Sequence, residues 1–278
     1  SSDDALSSPP RHRRRPPPPP QNDDDRHDEA VKSTADDAIL AKLSCVEHGY
    51  YDDPFVRPMA RGASGLAGGG RGGGSRGGGA VAPVIRRGTH ARVAAVDKAI
   101  DSFLGLPLPS SRSARQVVVL GAGRDTTFLR YEFGRGETKK HAPLDDVRWF
   151  EVDHPSVVRR KATSWLPGCV PDGCGCYVRA GEDVAGGGCS YAVSIAAARR
   201  GKDVEVGAAA AAPPNYHLIG HDLRFPPAAL FESLARRGYD RSAPALFVLE
   251  CVLMYLPETT CRELLRCIAE SPTPTTTD

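Results

Sequence analysis

The chain has 278 residues, a formal charge of +2, 40% hydrophobic residues and eight cysteines, a balance ordinary for a soluble globular protein. No apolar run approaches the ~18–20 residues needed to span a bilayer, so no membrane-spanning helix is expected within these residues. Eight cysteines in a chain of this size do not make a disulfide framework, and no charged-then-apolar leader opens the sequence.

Residue 1 is serine rather than methionine, so a natural start upstream is expected. Residues 1–32 are rich in Pro, Asp and Arg and are read as a disordered tail, because such a stretch buries too little apolar surface to offset its ordering entropy. The basic run Arg11–Arg15 is read as part of that solvated tail, with a nuclear-address or nucleic-acid role as the alternative. A folded domain is expected over 33–270. Thr34 is read as the cap of its first helix, with Asp36 and Asp37 at the positive end and Ile39, Leu40, Leu43 and Val46 at helical spacing. Residues 62–80 hold three triple-glycine runs and form a low-complexity insertion. A second helix is predicted over Thr89–Leu104, stopped by Gly105, with Arg86, Arg87 and Arg92 near its start. Arginines there oppose the helix dipole, so a carboxylate partner would rationalise them, while Arg86 and Arg87 read equally well as a solvated basic face.

Gln116–Leu120 is a short unbroken apolar run, the pattern of a strand buried on both faces. Gly121-Ala122-Gly123 and a polar turn follow at once, then a helix start. Strand, glycine turn and helix together offer backbone N–H groups to a polar ligand. Thr126 stands where a dinucleotide fingerprint needs its third glycine, so a smaller nucleoside ligand such as S-adenosylmethionine fits better. Val147–Asp153 reads as a second strand ending in an acid, ahead of a helix opened by Pro155. Asp153 can hold ribose hydroxyls, or serve only as the negative charge at that helix start.

Residues 167–214 show no clear period and are read as an irregular insertion. Tyr216–Gly220 and Ala245–Leu249 are the third and fourth strands, and a polar tail covers 271–278. The expected order 3-2-1-4 leaves Ala245–Leu249 at an edge. Cys45, Cys251, Cys261 and Cys267 read as reduced core residues. Cys169, Cys174, Cys176 and Cys189 lack metal-ligand spacing, so no metal is expected. Ligands sit at the carboxyl ends of such strands, where Gly121, Gly123, Asp153, Asp222 and Glu250 fall. Three strand-terminal acids exceed what packing requires, since buried carboxylates are costly unless paired.

Leu120–Phe128, Phe150–Pro155, Gly220–Arg224 and Glu250–Tyr255, together with Asp37–Lys42 and Arg87–Val93, occur in an order that resembles the leucine carboxyl methyltransferases. That resemblance covers most of residues 34–268. It implies an open, mainly parallel Rossmann-like class I methyltransferase sheet flanked by helices. Members of the family add further strands beyond the Glu-Cys-Val segment, so on this reading the chain is either truncated at its C-terminus or has lost part of its site. The resemblance implies S-adenosyl-L-methionine as methyl donor. Its methionine carboxylate would meet Lys42 and Arg92, Gly121 would pack against it and Asp153 would take its ribose. Asp222 and Leu223 would frame the adenine, Glu250 would lie at its amino-acid end, and Tyr255 would position the acceptor. The implied acceptor is the C-terminal leucine carboxylate of the protein phosphatase 2A catalytic subunit, with a monomeric cytoplasmic enzyme that binds neither nucleic acid nor membrane. A small-molecule or tRNA-modifying methyltransferase on the same scaffold, and a relative that only binds cofactor or partner, stay open.

Overall fold

A computed structural model describes residues 23–63, 81–107, 114–134, 144–170, 175–180, 189–196 and 215–270. Most of the glycine insertion, residues 1–22 of the expected tail and the 271–278 tail lie outside the described residues, as does Cys174.

Four parallel strands form the centre of the sheet: β1 (Arg115–Leu120), β2 (Val147–Asp153), β5 (Tyr216–Gly220) and β6 (Ala245–Val248). Their order, β5-β2-β1-β6, is the 3-2-1-4 arrangement expected, with β6 at an edge. Two further strands, β3 (Gly175–Ala180) and β4 (Ser190–Ala196), extend the other side antiparallel, giving the six-strand order β3-β4-β5-β2-β1-β6. They fall inside 167–214, where no regular element was expected. β4 pairs with β5, and Cys189 just before it is buried against Gly220, where a Cβ would meet the Cys189 backbone oxygen at 2.7 Å. The glycine-rich composition hides this strand because its packing neighbour is itself a glycine.

Side chains alternate across the sheet. Val117, Val119, Trp149 and Leu218 enter one apolar cluster, while Val118, Leu120, Phe150, Val152 and Ile219 enter the other. The first face is covered by α1 (Asp23–Glu47), α2 (Val56–Met59), α3 (Pro83–Leu104), α4 (Thr127–Phe133) and α5 (Pro155–Arg160). The second is covered by α6 (Pro227–Arg236) and α7 (Glu258–Ala269), through Leu230, Leu234 and Leu264. Phe128 stacks on Tyr216 at 3.9 Å between ring centroids and meets Trp149 edge-on, so α4 is locked to the middle of the sheet.

Both N-terminal helices begin earlier than their sequence patterns indicate. α1 starts at Asp23, so Thr34 lies inside the helix instead of capping it, and Asp36 faces an arginine rather than the helix end. α3 starts at Pro83, whose fixed φ suits a first helical turn. Gly88 is carried within it at the usual cost of ~1 kcal/mol. Arg92 therefore sits in the body of α3, away from its N-terminus. Cys251 departs from expectation too: it is exposed, with φ of +56°. Among the described residues, no helix is long and apolar enough to cross a membrane, and no group of three or more His, Cys, Asp or Glu side chains is placed to hold a metal.

Candidate active site

The parallel registers bring the strand ends level: Leu120 opposite Val152, Asp153 opposite Gly220, and Val119 opposite Val248. A cavity of about 470 Å³ opens over these tips, within the roughly 300–1,000 Å³ of small-ligand sites. Lys42, Arg92, Gly121, Gly123, Asp153, Asp222, Leu223, Glu250 and Tyr255 all line it. Residues from six separate stretches of chain, some singled out by pattern and others by the family resemblance, thus meet in one space. Tyr255 stands at the mouth and is 61% exposed.

The floor is the turn after β1. Gly121 has φ of +69°, and a Cβ there would sit 2.4 Å from Val252 Cγ2, so no other residue fits without displacing that side chain. The turn does not offer its first amides outward as expected. Gly121 and Ala122 donate theirs to the Val152 carbonyl, at 2.8 and 3.1 Å, and Gly123 donates to Asp153 Oδ2 at 2.6 Å. The turn is therefore riveted to β2, and it contributes shape more than donors. The other oxygen of Asp153, Oδ1, accepts from His154 N at 2.6 Å, so one carboxylate bridges the turn and the start of α5. Burial pushes the Asp153 carboxyl up, against the pull of those two amides.

One end of the cavity is a row of ion pairs. Lys42 Nζ lies 2.9 Å from Asp125 Oδ1 and 3.3 Å from Glu250 Oε2, and Arg92 Nε reaches Glu250 Oε1 at 3.0 Å. Burial alone would lower the Lys42 ammonium, but Asp125 and Glu250 outweigh it and hold Lys42 well above its ordinary range. Burial would raise Asp125, yet Lys42 and Lys161 outweigh it and hold that carboxyl well below the usual range. At the other end, Asp222 is clasped by its near neighbour Arg224, with Nε at 2.9 Å and the Arg224 amide at 2.9 Å. Beside it, His221 is held by its amide to the Asp153 carbonyl, and burial lowers its imidazole toward the neutral form.

Several polar groups around the cavity were not singled out from the sequence. Arg124 is buried between Asp36 of α1 at 2.6 Å, the carbonyls of Met59 and Arg61, and the Trp165 ring 3.9 Å away. Lys161 Nζ pairs with Glu151 Oε2 at 2.5 Å and donates to the Asp125 carbonyl at 2.8 Å. Both Glu151 and Lys161 interrupt apolar patterns, in strand and helix respectively, and that interruption is the signal that could have found them.

A family model described as leucine carboxyl methyltransferase matches residues 30–166 and 198–269. A Caenorhabditis briggsae protein named probable leucine carboxyl methyltransferase 1 is 30% identical over 239 residues, 86% of this chain and 59% of that protein. The leucine carboxyl methyltransferase 1 of Cryptococcus neoformans is 29% identical over 257 residues, 88% of this chain and 63% of its own length. The likeness extends to the human tRNA wybutosine-synthesizing protein 4, 29% identical over 235 residues, 83% of this chain and 27% of that protein. The chain thus spans about three fifths of the length of the leucine carboxyl methyltransferases it matches.

Proposed function

The chain belongs to the leucine carboxyl methyltransferase family, and from that premise we propose that it is an S-adenosylmethionine-dependent O-methyltransferase acting on the C-terminal leucine carboxylate of a protein phosphatase 2A catalytic subunit. The observation that carries the proposal is the meeting of Lys42, Arg92, Gly121, Asp153, Asp222, Leu223 and Glu250 around one cavity at the strand tips.

The donor set suits that cofactor. When bound, S-adenosylmethionine supplies a sulfonium-activated methyl group. Lys42 and Arg92 offer cations to its α-carboxylate, and Glu250, standing between them, offers an acid to its α-ammonium. A zwitterion therefore enters a lattice of alternating charge without leaving either sign unmatched. Asp153 presents its carboxylate toward a ribose diol, Asp222 and Leu223 flank the adenine side, and the bare Cα of Gly121 lets Val252 close against the turn that floors the cavity. The acceptor needs no general base, because a peptide carboxylate is ionised at neutral pH. What this chain's residues supply is alignment and exclusion of water, with Tyr255 at the mouth to orient the acceptor.

Calorimetry with S-adenosylmethionine tests the cofactor. Transfer of labelled methyl to a phosphatase catalytic subunit ending in leucine, lost when that leucine is deleted, tests the acceptor. The likeness to the tRNA wybutosine-synthesizing protein gives a second reading, an RNA-modifying methyltransferase. Label entering tRNA and not the phosphatase would select it.

A further inference from the structure

We propose that Lys161 is a positioning residue for the cationic end of the cavity: it holds the Asp125 carbonyl from beneath the glycine turn and so determines where Lys42 stands. The proposal rests on the cofactor reading above.

Lys161 shares the inward face of its helix with Val157, Val158 and Ala162, and its side chain is 2% exposed. A methionine there would fill similar space, and well-packed apolar replacements of buried ion pairs are often neutral or stabilising, so packing does not call for an ammonium. The contacts of Nζ point to what does. One goes to Glu151 Oε2 at 2.5 Å and another to the Asp125 carbonyl at 2.8 Å. The Asp125 side chain then takes Lys42, Lys42 reaches Glu250, and Glu250 takes Arg92. Charges alternate along this row without a break, from the interior of β2 to the cavity wall. The helix also widens into a π turn over Lys161–Trp165, a feature frequent at functional sites. If Lys161 only neutralised Glu151, the Asp125 carbonyl would need no part in the arrangement.

The experiment compares binding of S-adenosylmethionine with that of 5′-methylthioadenosine, which lacks the amino-acid tail, in the full chain. The variant Glu151→Gln/Lys161→Met removes both buried charges together, so neither is left alone. Its affinity for S-adenosylmethionine should fall roughly tenfold, the scale of a slightly misplaced binding group. Its affinity for 5′-methylthioadenosine should change by less than about twofold. Equal losses for the two ligands, or no loss, overturn the proposal. Glu151→Gln alone keeps Lys161 on the Asp125 carbonyl and should retain the wild-type ratio of affinities. A ratio lost in that variant also overturns it, and this arm reads even where the double variant does not fold. A wild-type chain that binds both ligands equally overturns the cofactor reading and this one with it, whereas discrimination kept by the double variant overturns the role of Lys161 alone.

Discussion

The two ends of the cavity are built by opposite means. At the Lys42 end the ion pairs are long-range: Glu250 is 208 residues from Lys42 and 158 from Arg92, with Lys42 and Asp125 buried and Arg92 partly exposed. At the Asp222 end the acid is clasped by Arg224 two residues away, and the arginine is 39% exposed. The first arrangement exists only when α1, α3, the β1 turn and the segment after β6 are all in place. The second is nearly complete within one loop. Charges drawn from distant elements make geometry of the site and stability of the fold one property, while a local clasp leaves them separable.

Substitutions can break that contrast or sharpen it. The largest effect is expected just behind the Lys42 end. Arg124→Met removes the buried guanidinium that pairs with Asp36 and releases two carbonyls, and losing one partner of a buried pair typically costs about 3–5 kcal/mol. Denaturant unfolding measures it, and a loss under about 1 kcal/mol would contradict the coupled picture. Next, Glu250→Gln removes the charge shared by Lys42 and Arg92 and should weaken S-adenosylmethionine by about 1.5–3 kcal/mol, the scale of a charge-assisted hydrogen bond, as read by calorimetry. Asp153→Ala should cost about 1–3 kcal/mol of the same affinity, and unchanged binding would remove Asp153 from the ribose role.

Acid should also act unevenly. The folded-state value of Asp125 is depressed, so its contribution is complete above the ordinary carboxylate range near pH 4 and is lost as pH falls below it. Lys42 is raised, and its contribution persists at every pH below the ordinary lysine range. Asp125→Asn should therefore flatten part of the acid side of the stability profile, as denaturant unfolding across pH would show, and by withdrawing the main charge that raises Lys42 it should bring the alkaline loss to lower pH. The smallest effect is reserved for Arg224→Ala, under about 1 kcal/mol in stability, because surface pairs contribute little. A larger loss there would erase the distinction between the two ends.

What could be read in advance follows the same division. The parallel strands announce themselves as short apolar runs closed by glycine or an acid, so β1, β2, β5 and β6 and their order were legible, as were the acids at their tips. β4 was not, because it lies in a glycine- and alanine-rich stretch and finds its place through Gly220 and Cys189 rather than through a strong pattern of its own. The start of α3 was hidden by Gly88, which tertiary packing overrides. Glu151 and Lys161 each break an apolar pattern, but which charge each one meets depends on packing between distant elements. Local patterning shows where the chain bends toward a ligand, but it cannot show which charges will be buried together.

The span between Lys42 and Glu250 has a consequence for synthesis. As the protein leaves the ribosome, α1 and its lysine emerge some two hundred residues before their acid, at ~5–20 residues per second. For about ten to forty seconds the nascent helix carries Lys42 without Glu250. β6 and the turn after it bring Glu250, Val252 and Tyr255 to the pocket together, and until they emerge that whole wall is missing.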